Sequence, residues 1–279
     1  MAIDKPILVT GGTGTLGRHL VRLLGEAGQP VRVLSRRARP DGTPEDVEWA
    51  VGDMSSGDGL REAVRGVGVI VNCASDTTRM GRADAAGVRH LLDAVRESGA
   101  ESDGDGGHEP PHLVHVSIVG IDRVPFIYYK AKLEVERIIE SAGLPWTILR
   151  ATQFHDLVAR AAQALAHSPV LPVPPGVRVQ PVDAAEVAAR LVTLTQRAPA
   201  GRAEDFGGPQ IRDLAELFRA YLRATGKRRT LLPTPLPGLS VRRMRAGALL
   251  APQGADGTIT FEDYLAASAA SAPQGSEEP

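Results

Sequence analysis

The sequence predicts a doubly wound α/β fold, a parallel sheet with helices on both faces, followed by a smaller C-terminal lobe. Three observations carry that expectation. Short β-branched runs alternate with helical apolar stripes through the first 150 residues, the first run ends in a glycine cluster, and after Arg150 helices joined by proline-rich connections take over.

The strands come first. Ile7 to Thr10, Val31 to Leu34, Val47 to Val51, Val69 to Asn72, His112 to Val116 and Trp146 to Leu149 read as buried parallel strands, each short, apolar and bounded by turn residues. Between the first two, Leu16, Leu20, Leu23, Leu24 and Ala27 recur at helical spacing. Val88, Leu91, Leu92 and Val95 form a second stripe, and Val135, Ile138 and Ile139 a third. Gly99 to Pro111, rich in Gly, Asp, Glu and Pro, reads as a solvated loop between a helix and the next strand. Residues 1–150 are thus expected to form the sheet core, and residues 151–279 to complete it and build the lobe.

In that second part, Pro169 to Pro175 and Pro233 to Pro237 read as connections, with helices expected at about 183–196, 211–225 and 261–270. Two of these open on cap patterns, Asp183 with Glu186 and Thr260 with Asp263. Ser271 to Pro279 reads as a frayed tail.

Composition excludes several function classes. Lys plus Arg (32) nearly cancel Asp plus Glu (33), so no net field recruits nucleic acid or an anionic membrane. Aromatic residues are 4% of the chain and scattered, which argues against base-stacking platforms. A single cysteine, Cys73, rules out an intramolecular disulfide and fits a reducing, cytoplasmic setting. No signal peptide and no stretch of transmembrane length is expected, and the seven histidines show no metal-ligand spacing, so no metal is expected.

The sharpest local pattern is Thr10-Gly11-Gly12-Thr13-Gly14-Thr15-Leu16-Gly17, where a strand ends in a glycine turn that opens an amphipathic helix. Gly11 permits the tight turn, Gly14 lets backbone approach a pyrophosphate, and Gly17 lets helix and strand pack closely. Such a loop between strand and helix predicts dinucleotide binding on a Rossmann-type sheet. The second strand then ends Ser35-Arg36-Arg37, lacking the acid that would hold ribose hydroxyls; two guanidinium groups and a hydroxyl suit a 2′-phosphate, so NADP(H) is the expected cofactor. Asp53 and Met54 follow the third strand, where Asp53 either reaches the adenine or caps the next helix. Cys73, Ala74 and Ser75 follow the fourth, small enough for a cofactor to lie close, with Cys73 read as a small buried residue rather than a nucleophile.

Together with Tyr128-Tyr129-Lys130-Ala131-Lys132, these motifs resemble the short-chain dehydrogenase/reductase superfamily, specifically its atypical NmrA-like, NAD(P)H-binding branch, over roughly residues 5–195. Tyr128 and Lys132 lie four apart, so they share a helix face that Val135 and Ile139 continue, although Tyr129 or Lys130 remains an alternative inward residue. The resemblance implies that Tyr128 protonates a carbonyl oxygen as hydride arrives, that Lys132 holds the nicotinamide ribose and lowers the Tyr128 pKa, and that Ser117 orients the substrate oxygen. It also places Gln153 and Phe154 as substrate contacts, with His155 either a second acid/base group or a solvated or helix-start residue. The implied activity is NADPH-dependent reduction of a carbonyl on a small hydrophobic or aromatic molecule, held by a C-terminal substrate-binding lobe. A non-catalytic NADP(H)-sensing regulator and an NAD(P)-dependent epimerase or isomerase are the alternatives, and the state is monomer or homodimer. Apolar groups at Leu231 to Leu239 and at Leu249 and Leu250 fit either a hydrophobic substrate or the core.

Overall fold

A computed structural model describes residues 5–76, 79–102 and 109–270. In chain order it contains β1 (Ile7–Thr10), α1 (Thr15–Glu26), β2 (Val31–Ser35), β3 (Val47–Val51), α2 (Leu60–Val64), β4 (Val69–Asn72), α3 (Asp84–Ser102), β5 (His112–Ile118), α4 (Ile127–Glu140) and β6 (Trp146–Ala151). There follow α5 (His155–Leu165), β7 (Val170–Val173), β8 (Arg178–Val179), α6 (Ala184–Thr195), β9 (Gly201–Arg202), β10 (Arg212–Asp213), α7 (Leu214–Ala224), β11 (Thr230–Pro233), α8 (Leu239–Arg245) and α9 (Phe261–Ala270).

The chain divides into two compact units. One is the chain through Ala151 together with Ala184–Asp205; the other is Thr152–Asp183 together with the chain from Phe206 onward. The crossing back and forth places α6 and β9, both beyond residue 150, with the sheet.

In the first unit seven strands run in the order β3-β2-β1-β4-β5-β6-β9, and every pair is parallel. Parallel strands buried on both faces need apolar residues at successive positions, and β1 and β4 are buried at all four of theirs. One face is filled by Leu8, Ile70, Leu113 and Ile148 against Leu60 of α2, Leu91 and Leu92 of α3, and Val135 and Ile139 of α4. α1 and α6 pack against each other, α1 burying Leu16, Leu20 and Leu24. The strand order reverses between β1 and β4, the position at which open α/β sheets bind ligands beyond their C-terminal strand ends.

The second unit has its own core: Val158 and Ala162 of α5, Leu171 and Val173 of β7, Leu217, Phe218 and Tyr221 of α7, and Phe261 and Leu265 of α9. The Thr260 and Asp263 cap forms as expected, each side chain accepting the other's backbone N–H at 3.1 Å.

The structure corrects three boundaries. α3 runs on through Gly99 to Ser102, so the loop expected from Gly99 starts later, and its residues 103–108 lie outside the described ones, as does the Ser271 to Pro279 segment. The two proline-rich connections are partly strands: β7 and β11 pair in parallel, Val170 opposite Thr230 and Leu171 opposite Leu231. Proline is tolerated there because a two-stranded ladder consists only of edges. Among the described residues, no helix is long and apolar enough to cross a membrane, and no group of His, Cys, Asp and Glu is arranged to hold a metal ion.

Candidate active site

At the C-terminal ends of β1 to β4 lies a cavity of about 810 Å³. Its floor is the glycine turn. Gly11 has φ +68°, and a Cβ there would meet the Ala74 backbone nitrogen at 2.8 Å; a Cβ on Gly17 would overlap the Gly11 carbonyl oxygen. Both positions therefore exclude any side chain, as the reading of the motif requires. Thr10 Oγ1 donates to Asn72 Oδ1 at 2.7 Å across the reversal between β1 and β4, tying the turn to the loop after β4. α1 opens at Gly14 with no side-chain cap, which leaves the N-terminal end of its dipole directed at the cavity.

Gly11, Thr13 and Gly14 line this space, as do Ser35, Arg36, Arg37, Asp53, Met54, Cys73, Ala74 and Ser75. Of the sequence-predicted cofactor residues, Thr15, Leu16, Gly17 and Lys132 do not. Leu16 and Gly17 face the core from α1, so their contribution is packing and backbone. Asp53 does not cap a helix: its Oδ1 accepts the Ser55 N–H at 2.7 Å in an Asx turn, and α2 starts only at Leu60.

Several cavity residues escaped the sequence reading, and two of them matter for the site. Trp49 of β3 lines the space beside Arg36 and Arg37 and donates its indole N–H to the Arg37 carbonyl at 2.8 Å. The signal lay in register: β3 runs parallel to β2 with Trp49 opposite Val33, so its ring reaches the turn that follows β2. The other is Asp84, the first residue of α3.

At the opposite end of the cavity from the two arginines stands a cluster built by α3, α4 and the loop after β4. Lys132, Val135, Glu136 and Ile139 are the buried face of α4, while Lys130 is exposed. Tyr128 begins that face, its hydroxyl 3.1 Å from Ser75 Oγ. Ser75 Oγ in turn donates to Asp84 Oδ2 at 2.7 Å, and Lys132 Nζ lies 4.0 Å from the same oxygen. Tyr128 and Lys132 therefore converge on Asp84.

The electrostatics run opposite to one expectation. Burial raises the Tyr128 pKa above its ordinary 10, the Ser75 hydrogen bond opposing it and the Asp84 carboxylate adding to it, whereas the resemblance implied that Lys132 would lower it. Lys132 itself is paired with Asp84. Burial lowers the Lys132 pKa against the opposing pull of Asp84. Tyr129 is pushed up to about 12 by burial, and Cys73 also to about 12 by burial, which leaves the latter a thiol at neutral pH, as expected of a packing residue.

Ser117 is placed elsewhere. It is 3% exposed, and its buried hydroxyl makes no hydrogen bond among the described residues, although it favours the ionised form of Glu136. Glu136, fully buried, is held by Arg150 through two parallel hydrogen bonds and by Arg202 at 2.9 Å. In the second unit, Gln153 donates to the Leu249 carbonyl at 3.4 Å, and its buried Oε1 has no partner among the described residues. Phe154 precedes α5, and His155 opens that helix as a buried residue 3.1 Å from the Ile259 carbonyl, so the helix-start alternative describes it.

Comparison with known proteins agrees with this geometry. Residues 11–196 match the model of an NAD(P)H-binding family. A (4-alkanoyl-5-oxo-2,5-dihydrofuran-3-yl)methyl phosphate reductase of Streptomyces griseus is 30% identical over 79% of this chain and 74% of its own. An NAD(P)H azoreductase of Xenophilus azovorans is 28% identical with the same coverage. Among solved structures, an Escherichia coli NADPH-dependent quinone oxidoreductase complexed with NADPH superposes with a TM-score of 0.73 at 17% identity, over 94% of this chain and 99% of that one. A Thermus thermophilus UDP-glucose 4-epimerase in complex with NAD gives 0.68 at 21% identity, over 93% and 96%. The chain belongs to the NAD(P)H-binding family.

Proposed function

We propose that this protein is an NADPH-dependent reductase of a carbonyl group on a small, hydrophobic or aromatic molecule, with Tyr128 as proton donor. The observation that supports it most directly is the position of the Tyr128 hydroxyl, within hydrogen-bond reach of Ser75 on the wall of the cavity. The names of the two relatives, a phosphate-ester reductase and an azoreductase, support the reductase part of this reading.

The cavity fits a dinucleotide. The glycine turn and the uncapped start of α1 would hold the pyrophosphate, Ser35, Arg36 and Arg37 a 2′-phosphate, and Trp49 with Asp53 and Met54 the adenine end. When bound, the cofactor supplies hydride. The chain supplies the rest: Tyr128 gives its proton to the substrate oxygen, so that a carbonyl becomes an alcohol, and the phenolate regains a proton from water. Lys132 lies one turn after Tyr128 on the same buried face of α4 and is paired with Asp84, from where its ammonium would hold the ribose of a bound cofactor. Gln153 and Phe154, in the second unit, are proposed as substrate contacts on the resemblance alone. Ser117, buried beside Glu136, does not touch substrate in this reading. The lone cysteine and balanced charge support a cytoplasmic enzyme, acting as monomer or homodimer on a small molecule.

Incubation of the purified protein with NADPH deuterated at the transferring carbon and a panel of quinones, aromatic ketones and aliphatic ketones tests this. Deuterium on the carbinol carbon of an alcohol product is expected. Conversion of a substrate with no net NADPH consumption would instead identify an epimerase or isomerase.

A further inference from the structure

Asp84 takes no part in the hydride and proton transfers described above, yet it is buried at the centre of the cluster. Its two oxygens are both engaged: Oδ1 accepts the Asp76 N–H at 2.8 Å, and Oδ2 accepts Ser75 Oγ–H at 2.7 Å with Lys132 Nζ 4.0 Å away. A carboxylate only accepts hydrogen bonds, and a serine hydroxyl has one proton to give. A hydrogen bond to an ionised acceptor is the stronger one, so the Ser75 proton goes to Asp84. Ser75 then has only lone pairs to offer at its 3.1 Å contact with Tyr128, and the phenol must be the donor.

We propose that Asp84 is a positioning residue which, through Ser75, fixes the Tyr128 hydroxyl as a hydrogen-bond donor and so holds it in its protonated form until a substrate oxygen takes the proton. This rests on the reading of Tyr128 as the acid and adds how the enzyme keeps that acid loaded. A Ser75 hydroxyl free to donate to a phenolate would lower the Tyr128 pKa; with its proton given to Asp84 it presents a lone pair backed by a carboxylate, which penalises loss of the Tyr128 proton in the absence of substrate. Among the described residues, the titratable and polar groups against Tyr128 are Ser75 of the loop after β4, Tyr129 of α4 and Asp84 of α3. Lys132 is the cation paired with that Asp84. The arrangement favours reduction over alcohol oxidation, which needs the phenolate as base.

The test is an ultraviolet titration of phenolate absorbance in the full chain without cofactor or substrate. The Tyr128 signal is the difference from Tyr128→Phe in each background. Asp84→Asn is expected to ionise Tyr128 at lower pH than wild type, because it removes a negative charge and leaves Lys132 uncompensated. Ser75→Ala, which leaves the buried Asp84 in place, is also expected to lower it, because the protonated phenol loses its acceptor. The double variant should fall short of the sum of the two single shifts, as for residues acting through one chain of bonds. A rise on Ser75→Ala would mean that Ser75 donates to Tyr128 and would overturn the proposal, as would full additivity. Since no turnover is measured, failure of the reductase reading leaves this titration intact, and failure of the titration leaves the deuterium experiment unaffected.

Discussion

Arg150 grips Glu136 with two parallel hydrogen bonds of 2.9 and 2.7 Å, joining the end of β6 to the middle of α4 one turn beyond Lys132. The Glu136 side chain is fully buried, and Arg202 of β9 and the Ser117 hydroxyl complete its surroundings. Together they hold its pKa down to about 2, against burial, which alone would raise it. Removing Arg150 leaves the buried Glu136 charge with Arg202 alone, so Arg150→Ala is expected to cost about 2 kcal/mol or more. Urea unfolding of the two proteins measures this, and a difference under 1 kcal/mol would show that α4 is held by its apolar face instead.

The same carboxylate gives an acid dependence. Its folded pKa lies below the ordinary 4.5, so its contribution is fully present above that value and is lost as pH falls from there toward about 2. Glu136→Gln should flatten the stability curve across that window. An unchanged curve would assign acid unfolding to other groups.

Gly17 and Gly14 should separate packing from binding. A Cβ on Gly17 meets the Gly11 backbone, whereas one on Gly14 comes no nearer than 3.2 Å to the Gly11 oxygen. Gly17→Ala is therefore expected to lower the melting temperature as well as NADPH affinity. Gly14→Ala should stay folded and lose affinity alone, measured by cofactor fluorescence.

Replacing Arg36 and Arg37 together with Ala should weaken NADPH binding by roughly 10-fold or more, the scale of one charge-assisted hydrogen bond, while leaving NADH binding nearly unchanged. Calorimetric titration with both cofactors reads this directly. Equal losses for the two would place the 2′-phosphate elsewhere.

Cys73, with its thiol held at about 12 by burial, is expected to resist iodoacetamide at neutral pH. Mass spectrometry of the alkylated chain should find it unmodified under conditions that label a free thiol. Rapid labelling would mean that the thiolate is populated and that the cavity Cys73 lines admits the reagent.

The sheet was legible because parallel strands buried on both faces leave nearly continuous β-branched runs: all six expected strands form, with β5 and β6 extended by two residues each. The glycine turn was legible for a related reason, since backbone contacts that exclude a Cβ leave no choice of residue. β7, β9 and β11 were not, because strands of two to four residues at an edge need no pattern of their own and accept proline. In the site, Tyr128 and Lys132 followed from helical spacing within one element. Asp84 did not: nothing in the spacing of residues 75, 84, 128 and 132 says that a helix start, a loop and another helix meet at one carboxylate. The position of Ser117 escaped for the same reason, its neighbour Glu136 being 19 residues away on α4.

The most direct test of the central claim compares NADPH-dependent turnover and NADPH affinity in wild type and Tyr128→Phe. Loss of general acid catalysis predicts a fall in kcat of about 100-fold or more, with the Kd for NADPH unchanged. Undiminished turnover in the variant would contradict the assignment of Tyr128 as the proton donor.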